Sequence, residues 1–411
     1  MARFFSLVPE AAAIAIFAIT YLVVAIGRLP GFRLDRAGAA LVGASLMVAV
    51  GGLPLEEAPK AIDFDTIILL LGVMIVVANL RLSGFFHLVN GWVVTRARYP
   101  IMLLAAIVLV SGILSAFLVN DTVCLVLTPL VLDLVTRLRR NPAPYLLAIA
   151  MASNVGSTAT ITGNPQNMII GSLSHIPYST FTAALSSIAG IGLVLTMGLT
   201  ALVYRSEFWT REQLRGESEP AHTDWPIMVK SVAVSLAMIA GFFAGIPPAE
   251  AAIVAGAVLL LTRRIKSEKV YAEIDWTLLL MFAGLFIVVA GLEHSVLSPE
   301  VIGAVGRLHF GRVPVLSVIT AILSNIVSNV PAVLVLKPFI AQLQFQQAWL
   351  TVAMASTLAG NFTLVGSVAN LIVVQRARAQ NIEIGFWEYF KVGAPLTVLT
   401  IGIGVLWLEI A

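Results

Sequence analysis

The sequence predicts an all-α polytopic membrane protein with two inverted repeats, each with a re-entrant hairpin and a broken transmembrane helix. Three observations predict this fold class. The 411 residues are 59% hydrophobic and only 11% charged, whereas a soluble domain has about a quarter charged residues. Apolar runs of membrane-spanning length recur along the chain. Polar and helix-breaking residues recur in the same order in its two halves.

Ten apolar runs fit membrane spans, which need about 20 residues and fewer when the helix is broken. They cover residues 10–27, 36–53, 65–80, 145–173, 183–204, 227–244, 249–262, 274–292, 349–375 and 391–408. Two further apolar stretches, 101–138 and 314–345, do not fit as simple spans.

Clusters of basic residues orient the spans, because cytoplasmic loops carry an excess of Lys and Arg. The clusters are Arg28, Arg33 and Arg36; Arg81, Arg96 and Arg98; Arg137, Arg139 and Arg140; Arg205, Arg211 and Arg215; Arg263, Arg264, Lys266 and Lys269; and Arg376 and Arg378. They share one side only if 101–138 enters and leaves by the cytoplasmic face and 314–345 by the external face. We therefore predict about ten spans plus two re-entrant hairpins in the inner (plasma) membrane, with both termini external.

The two halves of the chain repeat one pattern. Residues 62–64 match 274–276, and Asn120 matches Asn329. Because five crossings separate the copies, the second copy is inverted, an arrangement typical of secondary transporters. The predicted divisions are N-terminal spans (1–60), repeat 1 (61–204, with hairpin 101–138 and broken helix 145–173), a linker with spans (205–272) and repeat 2 (273–411, with hairpin 314–345 and broken helix 349–375).

Each copy is interrupted at its hairpin and its broken helix, where Gly, Asn and Pro unwind the chain. Freed backbone groups are tolerated at membrane depth only where they line a cavity or are buried in protein. A restarting helix offers N–H groups to an anion or an oxygen-rich solute, and a helix that ends offers carbonyl groups to Na⁺. The predicted substrate- and ion-binding residues are Ser115, Asn120, Asp121, Thr122, Asn154, Gly156, Thr158, Thr162, Gly163, Asn164, Asn167, Ser328, Asn329, Asn361, Thr363, Gly366, Ser367 and Asn370.

Asp121 is the most informative of these residues, because it places a carboxylate at a hairpin tip far from the basic clusters. An ionisable group at bilayer depth indicates function by default. Asp121 is therefore the predicted proton-coupling residue, or it stays ionised beside a cation. Asp is also a good helix N-cap, and both roles are compatible.

Two motifs carry a resemblance to a known family. Asn120-Asp121-Thr122 followed by Leu127-Thr128-Pro129 resembles the hairpin signature of arsenite permeases and related anion permeases. Gly163-Asn164-Pro165-Gln166-Asn167 is similar to an element of the divalent-anion/sodium symporters, with Gln166 in place of a proline. From about residue 36 to 408 the chain thus resembles permeases of the ion transporter superfamily. The resemblance implies Na⁺ sites near Asn120, with Ser115 and Gly156, and near Asn329. It also implies an elevator-like movement, often in a homodimer.

The first hairpin tip departs from the symporters in a way that bears on the substrate. It lacks the hydroxyl groups that contact dicarboxylates there, and Asp121 adds a negative charge where a dianion would sit. The tip therefore favours a neutral, hydroxyl-rich solute or cation exchange. The leading hypothesis is a proton- or sodium-coupled efflux permease for a metalloid oxyacid such as arsenite or antimonite. The alternatives are a sodium-coupled importer of a di- or tricarboxylate or an inorganic anion, and a Na⁺/H⁺ antiporter.

The sequence contains no His-Glu metal motif, nucleophile elbow or phosphate loop, so we predict that the protein is not an enzyme. No cofactor is expected beyond Na⁺ or H⁺ as the coupling ion. The expected partners are the lipid bilayer, a small solute or ion, and a second copy of the chain. The sequence leaves open whether a separate ATPase subunit binds, and nucleic acid is not an expected partner.

Overall fold

The computed structural model describes residues 2–27, 31, 33–214, 223–296, 310–343 and 346–410, and every regular element among them is a helix. The helices are α1 (Ala2–Ile26), α2 (Arg36–Ala49), α3 (Ala58–Ala61), α4 (Phe64–Leu82), α5 (Phe85–Arg96), α6 (Pro100–Leu118), α7 (Asn120–Arg137), α8 (Pro142–Ser157), α9 (Pro165–Ser174), α10 (Tyr178–Val203), α11 (Arg205–Phe208), α12 (Trp225–Phe243), α13 (Pro248–Leu260), α14 (Ser267–Tyr271), α15 (Trp276–Val296), α16 (Val313–Val327), α17 (Asn329–Ile340), α18 (Gln346–Ala359), α19 (Val368–Arg378) and α20 (Phe386–Ile410). A 3₁₀ turn, Ile161–Gly163, lies between α8 and α9. Arg28 and Arg215 of the predicted basic clusters lie outside the described residues.

Six of the described helices are long and apolar enough to cross a bilayer: α4, α6, α10, α12, α15 and α20. Shorter apolar helices occupy Glu10–Ile26, Arg36–Ala49, Pro248–Leu260, Val313–Val327 and Asn329–Leu343. The all-helical, multi-pass character predicted from the sequence is thereby confirmed, while the number of spans stays a prediction. Among the helices longer than five residues, α5 was not predicted, because its apolar pattern is weak; only Phe86 and Val93 of its side chains are buried.

Sixteen of the twenty helices in the described part of the chain form two bundles. The hairpin bundle comprises α6–α10 and α16–α20, and the outer bundle comprises α1, α2, α4, α12, α13 and α15. Contacts within each bundle are extensive, whereas those between the bundles are confined to a few helix pairs, such as α4 with α9 and α15 with α17.

The same kind of glycine contact occurs at two helix pairs of the outer bundle. Gly72, the ninth residue of α4, faces the backbone of Ala252, the fifth residue of α13. Gly284, the ninth residue of α15, faces the backbone of Ala40, the fifth residue of α2. A Cβ atom on either glycine would overlap that backbone, so glycine permits the close approach of both helix pairs.

Both stretches that were predicted as hairpins are pairs of helices joined by a single residue. Val119 joins α6 to α7 at φ 63°, and Ser328 joins α16 to α17 at φ 78°. Positive φ is uncommon outside glycine, and for a β-branched residue such as Val119 it is an outlier. Such conformations cost about 1–3 kcal/mol and concentrate at functional sites. Both tips are therefore candidate parts of a functional site.

Candidate functional site

The four chain breaks meet at one cavity of ≈ 40 Å³, at the start of four helices. From the hairpin bundle it is lined by Asn120 and Asp121 of α7, Pro165 and Gln166 of α9, Ser328 with Asn329, Val330 and Pro331 of α17, and Ser367 with Val368 of α19. The outer bundle supplies Val24 of α1, Arg36 of α2, and Leu278, Met281 and Phe282 of α15. The cavity therefore lies between the two bundles, with polar groups mainly on one side and an apolar wall on the other.

Backbone donors at the helix starts give this cavity a positive lining. The first helical bond of α7 runs from Val123 N–H to the Val119 carbonyl, and that of α17 from Ala332 N–H to the Ser328 carbonyl. No side chain caps either helix start, so the N–H groups before those donors have no partner within the helix. Four helix N-termini at one point attract negative charge or lone pairs.

Side chains add acceptors and opposite charges to the same cavity. The Asn120 Oδ1 atom is buried and has no hydrogen-bond partner among the described residues. Asp121 brings a carboxylate, and Arg36 attracts it from the outer bundle. The cavity thus offers hydrogen-bond donors and acceptors together, with one side chain of each charge.

The amide of Asn154 ties three of the breaks together. Its Oδ1 atom accepts from Asn120 Nδ2 (3.0 Å) and Ser367 Oγ (3.1 Å). Its Nδ2 atom donates to Asn361 Oδ1 (2.9 Å) and Asn370 Oδ1 (3.0 Å). Asn154 is fully surrounded by protein, so this one side chain sets the distance between the first hairpin tip and the second broken helix.

The two broken helices are held by equivalent hydrogen bonds. Asn167 Nδ2 donates to the carbonyl oxygens of Ser157 (3.1 Å) and Thr160 (2.9 Å). Asn370 Nδ2 donates in the same way to the carbonyl oxygens of Gly360 (2.8 Å) and Thr363 (3.2 Å). These bonds satisfy carbonyl groups that the breaks leave free, as buried backbone requires.

The helix N-caps and the serine hydrogen bonds of the two halves also correspond to each other. Asn164 Oδ1 accepts from Asn167 N–H at the start of α9, and Ser367 Oγ accepts from Ala369 N–H at the start of α19. Ser115 shares a hydrogen bond with Ser153 Oγ (2.8 Å), and Ser324 Oγ donates to the Ser356 carbonyl (3.2 Å). Asn329, with its amide in the orientation that satisfies both of its polar atoms, donates to the carbonyls of Ser356 (3.2 Å) and Gly366 (3.3 Å).

The predicted site residues thus divide by what they contact. The cavity is lined by Asn120, Asp121, Ser328, Asn329 and Ser367. Hydrogen bonds that shape the breaks involve Ser115, Asn154, Thr158, Thr162, Asn164, Asn167, Asn361, Thr363, Gly366 and Asn370. Gly156 and Gly163 allow close backbone packing.

Thr122 lines a second cavity instead, of ≈ 70 Å³, which also includes Asp121. Arg81, Glu273 and Asp275 lie along the same cavity, and Arg81 forms an ion pair with Glu273. Asp121 therefore lies between the central cavity and a second cavity with charged groups, among them the exposed Asp275.

Arg36 is the main site residue that sequence reasoning missed. It belongs to a basic cluster that was interpreted as a topology signal, whereas the packing of α2 against α15 brings it to the cavity. The apolar residues Val24, Leu278, Met281 and Phe282 were missed as well, because apolar side chains within spans carry no distinguishing signal.

Gly156 supports a direct test of the packing around the site. A Cβ atom there would overlap the backbone of Gly112 in α6, so we expect Gly156→Ala to cost about 1–3 kcal/mol and to lower the unfolding temperature in detergent. Gly190→Ala is the matched control, because the space around Gly190 in α10 is open. Equal unfolding temperatures for the two variants would contradict the close α6–α8 contact.

Comparisons with known proteins agree with this architecture. Residues 21–359 match the family described as CitMHS, citrate transporter. The chain is 27% identical to the silicon efflux transporter LSI3 of Oryza sativa subsp. japonica, over 95% of each chain. It is also 27% identical to the putative transporter arsB of Dictyostelium discoideum, over 90% of this chain and 87% of the relative.

The fold resembles a solved transporter structure. The crystal structure of the Alcanivorax borkumensis YdaH transporter, described as having an unusual topology, matches with a TM-score of 0.63. The match covers 98% of this chain and 97% of that chain at 13% sequence identity. At that identity the likeness concerns the fold alone.

Proposed function

This chain belongs to the CitMHS citrate transporter family, and from that premise we propose that it is a secondary active transporter that exports a small, neutral metalloid oxyacid such as arsenous or silicic acid. The protein is a membrane transporter and not an enzyme. We propose Asp121 as the residue that carries the coupling proton.

One observation carries the choice of substrate class: the cavity presents donors and acceptors together. Free N–H groups at the helix starts and the Arg36 guanidinium donate, while Asp121 and the unpartnered Asn120 Oδ1 accept. Each hydroxyl group of a neutral oxyacid both donates and accepts. A fully ionised carboxylate only accepts, so it would leave Asn120 Oδ1 without a partner and would approach the Asp121 charge.

The size of the cavity supports a small solute. At ≈ 40 Å³ it is far below the roughly 300–1,000 Å³ of pockets that enclose drug-sized ligands. An oxyacid with one central atom and three or four hydroxyl groups is compact enough for a cavity of this size.

Asp121 supports proton coupling by its place between two cavities. One cavity contains the chain breaks, and the other contains Arg81, Glu273 and the exposed Asp275. A carboxylate in this place can exchange a proton with water on one side and contact the solute on the other. Of the residues predicted near Na⁺, Ser115 already shares a hydrogen bond with Ser153, whereas Asn120 Oδ1 has no partner in the described part of the chain. Sodium coupling is therefore kept as the alternative.

The division into two bundles supports an elevator-type movement. All four breaks belong to the hairpin bundle, and the cavities lie along its interface with the outer bundle. A third cavity of ≈ 600 Å³ lies along this interface, between α4 with the α12–α13 turn and α9 with α10. The matched glycine contacts of the outer bundle and the matched Asn167 and Asn370 bonds support the proposed pair of inverted repeats.

A second candidate, import of a tricarboxylate, has its own support. The family is described by citrate, and Arg36 together with four helix starts suits an anion. We rank it below oxyacid export because of Asp121 and the size of the cavity.

Uptake of radiolabelled arsenite into everted membrane vesicles tests the proposal, since uptake there corresponds to export from the cell. We expect accumulation when a proton gradient is imposed and none when an ionophore collapses it. Vesicles without the protein give the background, and the same vesicles are tested with a sodium gradient and with citrate.

The results separate the candidates. Accumulation driven by a sodium gradient alone would replace the proton with Na⁺ as coupling ion. Sodium-dependent uptake of citrate into right-side-out vesicles, without arsenite transport, would support the importer. Sodium-driven proton movement without any solute would support a Na⁺/H⁺ antiporter.

A further inference from the structure

We propose that Arg36 binds the transported solute only when the site faces the cytoplasm, so that it gives the two faces of the transporter different affinities. This inference deepens the proposed function and rests on it. The residue is supplied by the outer bundle, whereas the other polar groups of the cavity belong to the hairpin bundle.

The surroundings of Arg36 leave its donors available for a ligand. Arg36 is the first residue of α2, is half-buried and lines the cavity. Among the described residues, no side chain or carbonyl group forms a hydrogen bond or close ion pair with its guanidinium. The end of α1 confines the group, because a Cβ atom at Gly27 would lie 3.3 Å from Arg36 Nε. A guanidinium with five donors is thus held at the cavity with no hydrogen-bonded partner in the described part of the chain, and Asp121 attracts it through space.

A second polar group points to a ligand at the same place. Asn120 is only 3% exposed, and its Oδ1 atom has no partner in the described part of the chain. Buried polar atoms are otherwise almost always hydrogen-bonded. Arg36 can meet an acceptor oxygen and Asn120 a donor hydroxyl of the same solute, one from each bundle.

The position of Arg36 in the outer bundle decides the consequence. If the hairpin bundle moves, Asp121, Asn120 and the four helix starts move with the solute, while Arg36 stays with α2. The solute then keeps its backbone contacts and loses the guanidinium. A ligand that contacts a group in one state only binds that state more tightly. A hydrogen bond to a charged group contributes enough for roughly a tenfold or larger difference in affinity.

The face concerned follows from the basic residues around α2. Arg33 precedes the helix and is exposed, and the basic clusters are predicted to lie at the cytoplasmic face. Arg36 therefore affects the affinity at the cytoplasmic face, where an exporter binds its solute.

The test measures half-saturating concentrations from both faces, with arsenite in everted and in right-side-out vesicles. We expect Arg36→Gln to raise the value about tenfold or more at the cytoplasmic face and to leave the external value unchanged. Arg36→Lys keeps the charge but not the planar fork, so we expect an intermediate value. Arg33→Gln is the matched control, with the same change of charge in the same cluster and no place at the cavity.

The results separate a role of Arg36 at one face from a role at both faces and from no role in binding. An equal loss of affinity at both faces would overturn the sided role, and unchanged affinity in Arg36→Gln would overturn any role in binding. If wild-type vesicles transport no arsenite, the same variants are measured with citrate. A sided effect there would overturn the proposed substrate and uphold Arg36, while transport of neither solute would overturn both proposals.

Discussion

Replacing Asp121 by Asn is expected to abolish proton-driven accumulation of the solute in everted vesicles, down to the level of vesicles without the protein. An amide of the same shape cannot take up or release the proton. The proton gradient can therefore no longer drive transport of the solute. The amide oxygen can still accept a hydrogen bond from the solute, so we expect exchange of labelled for unlabelled arsenite to continue without a gradient. The pair of measurements separates coupling from binding.

Asp133→Asn is the control for this experiment. Asp133 is in the same helix, α7, and forms an exposed ion pair with Arg137 (3.0 Å), as its spacing of four residues predicts. Exposed pairs contribute little, so transport should be unchanged. Gradient-driven accumulation that survives in Asp121→Asn would contradict the proton-carrier role. Loss of exchange as well, in folded protein, would make Asp121 a binding residue instead.

Replacing Asn154 by Ala is expected to have the largest effect on stability. The substitution removes four hydrogen bonds and leaves their buried partners, Asn120, Ser367, Asn361 and Asn370, short of one bond each. Such bonds contribute from about 0.6 kcal/mol each in membrane proteins to 1–3 kcal/mol where a buried group is left unsatisfied. We expect a loss of about 2–5 kcal/mol, measured as a lower unfolding temperature in detergent, together with loss of transport.

Asn141→Ala, at the residue that precedes α8, provides the comparison. Asn141 caps the start of that helix by accepting from Ala143 N–H (3.1 Å), and loss of such a cap costs about 1 kcal/mol. We expect a smaller decrease in unfolding temperature and retained transport. If the two variants lose equal stability, the Asn154 amide does not hold the breaks together.

The membrane class and the positions of the breaks could be predicted from sequence because their causes are local. Hydropathy depends on composition within a run, and each predicted hairpin became two helices separated at Val119 or Ser328. Asn164 and Ser367 could be identified as break residues, since capping depends on neighbours within a few positions. Similarity to arsenite and anion permeases was also readable from the motifs, and the family match bears out that resemblance.

Only the tertiary structure decided what each polar residue contacts. Ser115 and Thr162 were predicted to bind substrate or ions. In the structure their hydroxyl groups form hydrogen bonds with Ser153 and Tyr178. Gly156 lies against the backbone of Gly112, where it shapes a helix contact. Conversely, the sequence suggested only that Arg36 orients the chain in the membrane. The packing of α2 against α15 places it at the cavity. The sequence by itself determined where the helices break, because that is a local property. The structure decided which broken ends meet and which charge faces them, because those contacts join residues far apart in the chain.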